Sequence, residues 1–167
     1  LTAELDIEYA GALFANLTEE AGYEPRGTSH IILLRRMVQY FGVPFDVDAT
    51  TPEAHAYLSN RFRCVRHPER AWGLGVLWAF EAVTSSKHEQ SFRMMLKLGV
   101  PPEMAEFYRV HIEADERHSA SFVEIVKESV RTREQQECFL TSLAIHTRLR
   151  RAYFDRMWEE IKSAATE

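Results

Sequence analysis

Cysteine, glycine and proline are all scarce, at two, seven and six of 167 residues. Two cysteines, Cys64 and Cys138, make no disulfide framework for a domain of this size, so a reducing, cytoplasmic setting is expected. There is no excess of positive charge: 20 Lys+Arg stand against 25 Asp+Glu, a formal net charge of -5. The counterion release on which nucleic-acid modules depend therefore has no obvious source. There is no long hydrophobic run either. The longest, Trp72 to Phe80, stops at Glu81, well short of the roughly 20 apolar residues that span a bilayer. The chain opens on Leu1 without a basic stretch or short apolar core, so no signal peptide is expected. Neither nucleic acid nor membrane is an expected partner.

Strand-like alternation is missing too. Between the sparse glycines and prolines, apolar residues recur at spacings of three and four, which reads as an all-α chain. Leu5, Tyr9, Leu13 and Leu17 form a first stripe that Gly22, Pro25 and Gly27 end. Thr28 or Ser29 can cap a second helix through Ile31, Leu33, Leu34, Met37 and Phe41 to Gly42. Thr51-Pro52-Glu53 supplies an N-cap, a first-turn proline and an early acid for a third, reaching about Phe62. A long segment from Glu69 to Leu98 follows, closed by Gly99 and Pro101-Pro102. The next helix is expected from Pro102 to about Thr132 and the last from 134 to about 164. Six helices in a single domain, 1–167, with no internal repeat, are the expectation; 46% apolar residues suffice for a sizeable core.

What the chain does have is polar groups on apolar faces. At about 100° per residue, His111, Asp115 and His118 fall within an arc of about 60°. Met104, Phe107, Tyr108, Phe122 and Ile125 lie on the same face. Glu81 is the lone acid in a stripe with Leu74, Leu77, Trp78, Phe92 and Met95, and His88 lies two turns further on. Glu20 ends the first stripe, and His30 begins the second. Unpaired charges in such places cost several kcal/mol, so something must compensate them. None of these stripes offers a Lys or Arg. A single inward His or Glu is ordinarily a hydrogen-bonded core residue, but three on one face with acids on two other helices point to a metal. Three carboxylates and three imidazoles suit iron or manganese better than zinc, and two divalent ions would bring the cluster near neutrality. The charge runs 131–137 and 148–151 read as solvated faces, Trp72, Trp158 and Met94-Met95 as core, and His55, His67 and His146 as surface or capping residues.

The ferritin-like pattern of two Glu-x-x-His motifs is absent, since only Asp115 and His118 form such a couple. A different family fits. Glu19-Glu20-Ala-Gly followed by His30, then Ala79-Phe80-Glu81, then His111-x3-Asp115-x2-His118 with Glu116 beside the Asp, resembles the heme-oxygenase-like di-iron oxidases and oxygenases over residues 13 to about 125. The resemblance implies a heme-oxygenase-like helical bundle binding two non-heme irons through Glu20, His30, Glu81, His111, Asp115 and His118, with Glu19 the alternative to Glu20. It implies an O2-dependent oxidoreductase acting on a small metabolite, by amine N-oxygenation or by oxidative decarboxylation or C–C cleavage of an amino or fatty acid. An N-terminal helix usual in the family is not seen before Leu1. Trp78, Ser85, His88, Met104 and Tyr108, one or two turns from these positions, are candidates to line a substrate pocket. A metal-independent TenA-like enzyme and a non-catalytic bundle are the competing readings, and a homodimer is left open.

Overall fold

The computed structural model describes residues 7–23, 27–44, 50–81 and 84–164, the side chains of 7–9, 84–85, 113 and 115–117 excepted. Seven helices and no strand are found among the described residues: α1 (Ile7–Ala21), α2 (His30–Tyr40), α3 (Pro52–Val65), α4 (Ala71–Glu81), α5 (Thr84–Lys97), α6 (Glu106–Ser129) and α7 (Arg133–Ala164). The expected all-α class holds, with one more helix than the six expected. The segment from Glu69 to Leu98 is two helices, α4 and α5, with residues 82 and 83 between them outside the described part. A second difference lies at α6, which starts at Glu106 and not at Pro102. Pro101 spends its carbonyl on tight turn bonds, from Met104 N at 2.9 Å and Ala105 N at 3.3 Å, before the helix proper begins.

Local chemistry sets the ends. Thr51 caps α3 as the sequence suggests, its hydroxyl accepting from Ala54 N at 3.2 Å ahead of Pro52. Ahead of α4, Glu69 N donates to His67 Nδ1 at 3.0 Å and Ala71 N to Glu69 Oε1 at 3.0 Å, so Glu69 takes the first helical N–H while His67 closes the turn before it. Helix α5 closes on Gly99 at φ 79°, with Val100 N bonded back to Met95 O and Gly99 N to Leu96 O.

The chain forms two compact units, one of Val47–Ala79 with Glu128–Glu167 and one of Thr2–Asp46 with Phe80–Lys127. In the first, α3 packs along α7 around Tyr57, Cys64 and Leu74. Gly75 lets α4 come close to α7, because a Cβ there would run into Ser142 Oγ and the Phe139 carbonyl. Ser142 Oγ donates to the Trp72 carbonyl at 2.8 Å, and Arg150 donates to that of Ala79 at 3.1 Å.

Three assignments made from the sequence need correction in α5 and α7. Trp158 and Met94 are exposed, not core. His146, expected at the surface, is 0% exposed. Its ring lies 4.7 Å from that of Tyr57, and neither ring nitrogen has a hydrogen-bond partner among the described residues. Burial, aided by the charges of Arg61 and Arg150, pushes its pKa down to about 4. No helix of the described residues is long and apolar enough to cross a membrane.

Candidate metal centre

The second unit carries the acid and imidazole groups singled out by the sequence. Its core is apolar around Leu33, Met37, Ala114, Phe122 and Ile125, and buried among these are His30, His111 and His118. Helix α1 ends in a capping turn at Gly22, φ 76°, with Tyr23 N bonded to Thr18 O and Gly22 N to Glu19 O. A Cβ on Gly22 would collide with the backbone nitrogen of Ser29, so only glycine lets the start of α2 close onto the end of α1. That closure brings His30, the first residue of α2, onto Glu20.

Gly22→Ala should therefore do more than strain a turn. We expect a stability loss of about 1–3 kcal/mol, measured by chemical denaturation, together with weakened metal binding, because Glu20 and His30 separate. Unchanged metal affinity in a destabilised variant would show that the turn does not set the site.

Glu20 stands between two imidazoles. Its Oε2 lies 2.8 Å from His30 Nδ1 and its Oε1 lies 3.7 Å from His111 Nε2. The ligand-competent atoms of Glu20, His30 and His111 all lie within 4.8 Å of one another. Burial works against the charged form of Glu20, yet His30, His111 and His118 outweigh it and hold the carboxyl below its usual range. His111 shifts downward, chiefly through burial. The rings of His30 and His111 are 4.4 Å apart, and Phe107 and His88 approach the His111 ring at 4.4 and 4.6 Å.

A second grouping surrounds His118. Its Nδ1 lies 3.7 Å from Glu81 Oε2, and its Nε2 lies 3.2 Å from Glu19 Oε2 with hydrogen-bond geometry. Burial would lower the pKa of this imidazole, but the Glu81 and Glu19 carboxylates more than offset it and raise it. Ser119 Oγ donates to the Glu81 carbonyl at 3.1 Å, which ties α6 to the end of α4.

The orientation of the rings tests whether these residues fit a cation. His30 Nδ1 is buried and lies 2.8 Å from Glu20 Oε2 without the geometry of a hydrogen bond. A buried imidazole nitrogen this close to a carboxylate oxygen, with no hydrogen bond between them, is a spacing that two ligands of one ion can adopt. His111 has Nδ1 committed to the Phe107 carbonyl at 2.6 Å, so Nε2 is the nitrogen facing Glu20. This is the outer hydrogen bond that usually orients a metal-binding imidazole. The donor set fits an oxygen- and nitrogen-preferring ion such as iron.

Of the six candidate ligands, the structure thus groups Glu20 with His30 and His111, and Glu81 with His118. Asp115 falls on α6 between the two histidines, but its side chain lies outside the described residues, as does that of Ser85. His88, on α5, stands near Tyr108 as well as His111, with ring centroids 5.8 Å apart. Burial pushes the Tyr108 hydroxyl up, against the effect of its hydrogen bond with Ser91. Met104 sits half-buried in the turn before α6. Trp78 belongs to the first unit, where its ring meets Phe139 edge-on at 6.3 Å. Two participants lie outside the six, Glu19, which the sequence left as the alternative to Glu20, and the Phe107 carbonyl, which sequence reasoning missed. The adjacent acids at 19 and 20 were the available signal for the first, and no residue-type signal exists for the second.

No curated protein matches the chain. The family model described as iron-containing redox enzyme matches residues 2–153. This match covers most of the sequence, agrees with the all-helical fold, and names the metal for which the Glu20, His30 and His111 grouping is suited. The chain belongs to the heme-oxygenase-like family of iron-containing redox enzymes.

Proposed function

We propose that the protein is an O2-dependent non-heme di-iron oxidase or oxygenase of a small metabolite, carrying out amine N-oxygenation or the oxidative decarboxylation or C–C cleavage of an amino or fatty acid. The observation that carries this reading is the pairing of carboxylates with imidazoles in two groupings, Glu20 with His30 and His111, and Glu81 with His118. The groups come from α1, α2, α4 and α6, so the site depends on the folded chain. By formal charge the four acids Glu19, Glu20, Glu81 and Asp115 amount to -4, which two divalent ions would balance.

Ferrous ions held there would supply the electrons for reducing O2. The protein's own part is positional. Glu20, held below its usual pKa, stays ionised and available as a ligand at neutral pH. Neutral His111 offers a lone pair at Nε2 because its Nδ1–H is occupied by the Phe107 carbonyl. Phe107 and His88 pack against the His111 ring, and Tyr108 in turn packs against both of them. Tyr108, raised above its usual pKa, keeps its hydroxyl proton and can donate it in a hydrogen bond to a carboxylate or amine substrate.

A metal-independent route would need a reactive nucleophile, and Cys64 is a poor one. Its thiol is buried beside the Asn60 side-chain oxygen at 3.7 Å, and burial pushes its pKa up.

The test is O2 uptake by anaerobically Fe(II)-loaded protein mixed with oxygenated buffer, across a panel of small amines, amino acids and fatty acids. We expect at least one compound to accelerate uptake beyond that of the protein without substrate, and the iron-free protein to be inactive. Iron binding without O2 consumption for any compound would point to iron storage instead.

A further inference from the structure

Glu19 and Glu20 are adjacent on α1 but serve different imidazoles. Glu20 faces His30 and His111, while Glu19 reaches His118, a residue 3% exposed and 99 positions away in sequence. The two contacts of His118 differ in kind. Nε2 to Glu19 Oε2, at 3.2 Å, satisfies the distance and angle of a hydrogen bond. Nδ1 to Glu81 Oε2, at 3.7 Å, is too long for one, and is a spacing that two ligands of one ion can adopt. His111 repeats the arrangement with the nitrogens exchanged: Nδ1–H is held by the Phe107 carbonyl and Nε2 faces Glu20 at 3.7 Å.

We propose that Glu19 is a positioning residue, not a ligand: it accepts the Nε2–H of His118 and so commits Nδ1 of that ring, facing Glu81, to the metal. The proposal rests on the metal-centre reading above and extends it to a residue outside the set of six. A carboxylate in this role fixes the tautomer, holds the ring plane and makes the imidazole a stronger donor, and removing such a partner usually costs 10–100-fold in metal affinity. The effect should be largest for the ion at His118, because the Nε2 of that ring is the atom Glu19 bonds. A division of labour between neighbouring acids also explains how one turn of α1 can contribute to both groupings. Glu20 binds and Glu19 orients.

Co(II) is a suitable probe because its visible absorption reports the ligand set as well as the stoichiometry. Wild-type protein should take up two Co(II) per chain in a titration. Glu19→Ala should still reach two at saturation, with one of them weakened about 10–100-fold and its absorption band altered. Glu19→Gln keeps an acceptor oxygen at the same reach and should restore most of the affinity and the band, a rescue that general loss of packing would not give. Circular dichroism of the metal-free variants checks that both fold. Identical binding curves and spectra for wild type and Glu19→Ala would overturn the positioning role. A variant limited to one Co(II) at any concentration, and not rescued by Gln, would overturn it in favour of direct ligation. Wild-type protein that binds no Co(II), Mn(II) or Fe(II) would instead overturn the underlying metal reading, and the positioning role with it.

Discussion

Loading the protein with Fe(II) or Mn(II) under anaerobic conditions should raise its melting temperature by about 8–16 °C for each ion present at a thousandfold its dissociation constant. The figure follows from mass action, about 4 kcal/mol at that excess for a ligand that binds only the folded chain, and from the 2–4 °C per kcal/mol usual for domains of this size. Glu20, His30 and His111 come from three helices, so the unfolded chain does not present them together. Excess chelator should return the melting temperature to that of the metal-free protein. Glu20→Ala and His111→Ala should each lose the part of the shift due to their grouping. Glu124→Ala, on the exposed side of α6 where Glu124 pairs with Lys127 at 2.8 Å, should keep all of it. Equal shifts in all three variants would remove the ligand assignment.

The second large effect concerns acid and the first unit. His146 is neutral in the fold, with a pKa of about 4 against an ordinary value of 6.5. Above pH 6.5 the folded and unfolded chains bind the same number of protons at this residue, so it contributes no pH dependence there. As the pH falls from 6.5 towards 4, only the unfolded chain takes up the proton, and stability is lost. The loss should be about 2 kcal/mol by pH 5 and about 3 kcal/mol when complete. His146→Leu removes the titrating group and the two unsatisfied nitrogens, so it should match or exceed wild type at pH 7 and gain on it steadily towards pH 5. Urea unfolding of both proteins across that range measures the difference directly. Parallel stability curves would show that His146 is protonated as easily in the fold as in the unfolded chain.

Much of the architecture was legible because helices announce themselves through spacing and caps. The α3 start was readable from Thr51-Pro52-Glu53, since each residue there has a local job. The α6 start was not, because Pro102 satisfies the rules for a first helical position while the bonds to the Pro101 carbonyl form a separate turn. Spacing also identifies a face without saying what covers it. Leu17 and Trp158 fall on apolar stripes and are exposed, whereas His146 sits two residues before the basic run of α7 and is fully buried.

The site shows the same division. His111 and His118 were recognisable because two imidazoles on one apolar face cannot be left uncompensated, and the structure buries both. The separate roles of Glu19 and Glu20 were not, since spacing alone leaves two adjacent acids, about 100° apart on a helix, open as alternatives. The long-range partner that gives Glu19 its place, His118, is a tertiary fact. The Phe107 carbonyl that orients His111 is invisible to any reading of side-chain types, because every residue but proline has the same backbone groups.

The central claim is that two ions sit in the second unit, and anomalous diffraction at the iron edge from a crystal of Fe(II)-loaded protein tests it most directly. Two peaks are expected, one among Glu20, His30 and His111 and one beside Glu81 and the Nδ1 side of His118. No peak at these residues, or a single peak with His118 still bonded only to carboxylates, would contradict it.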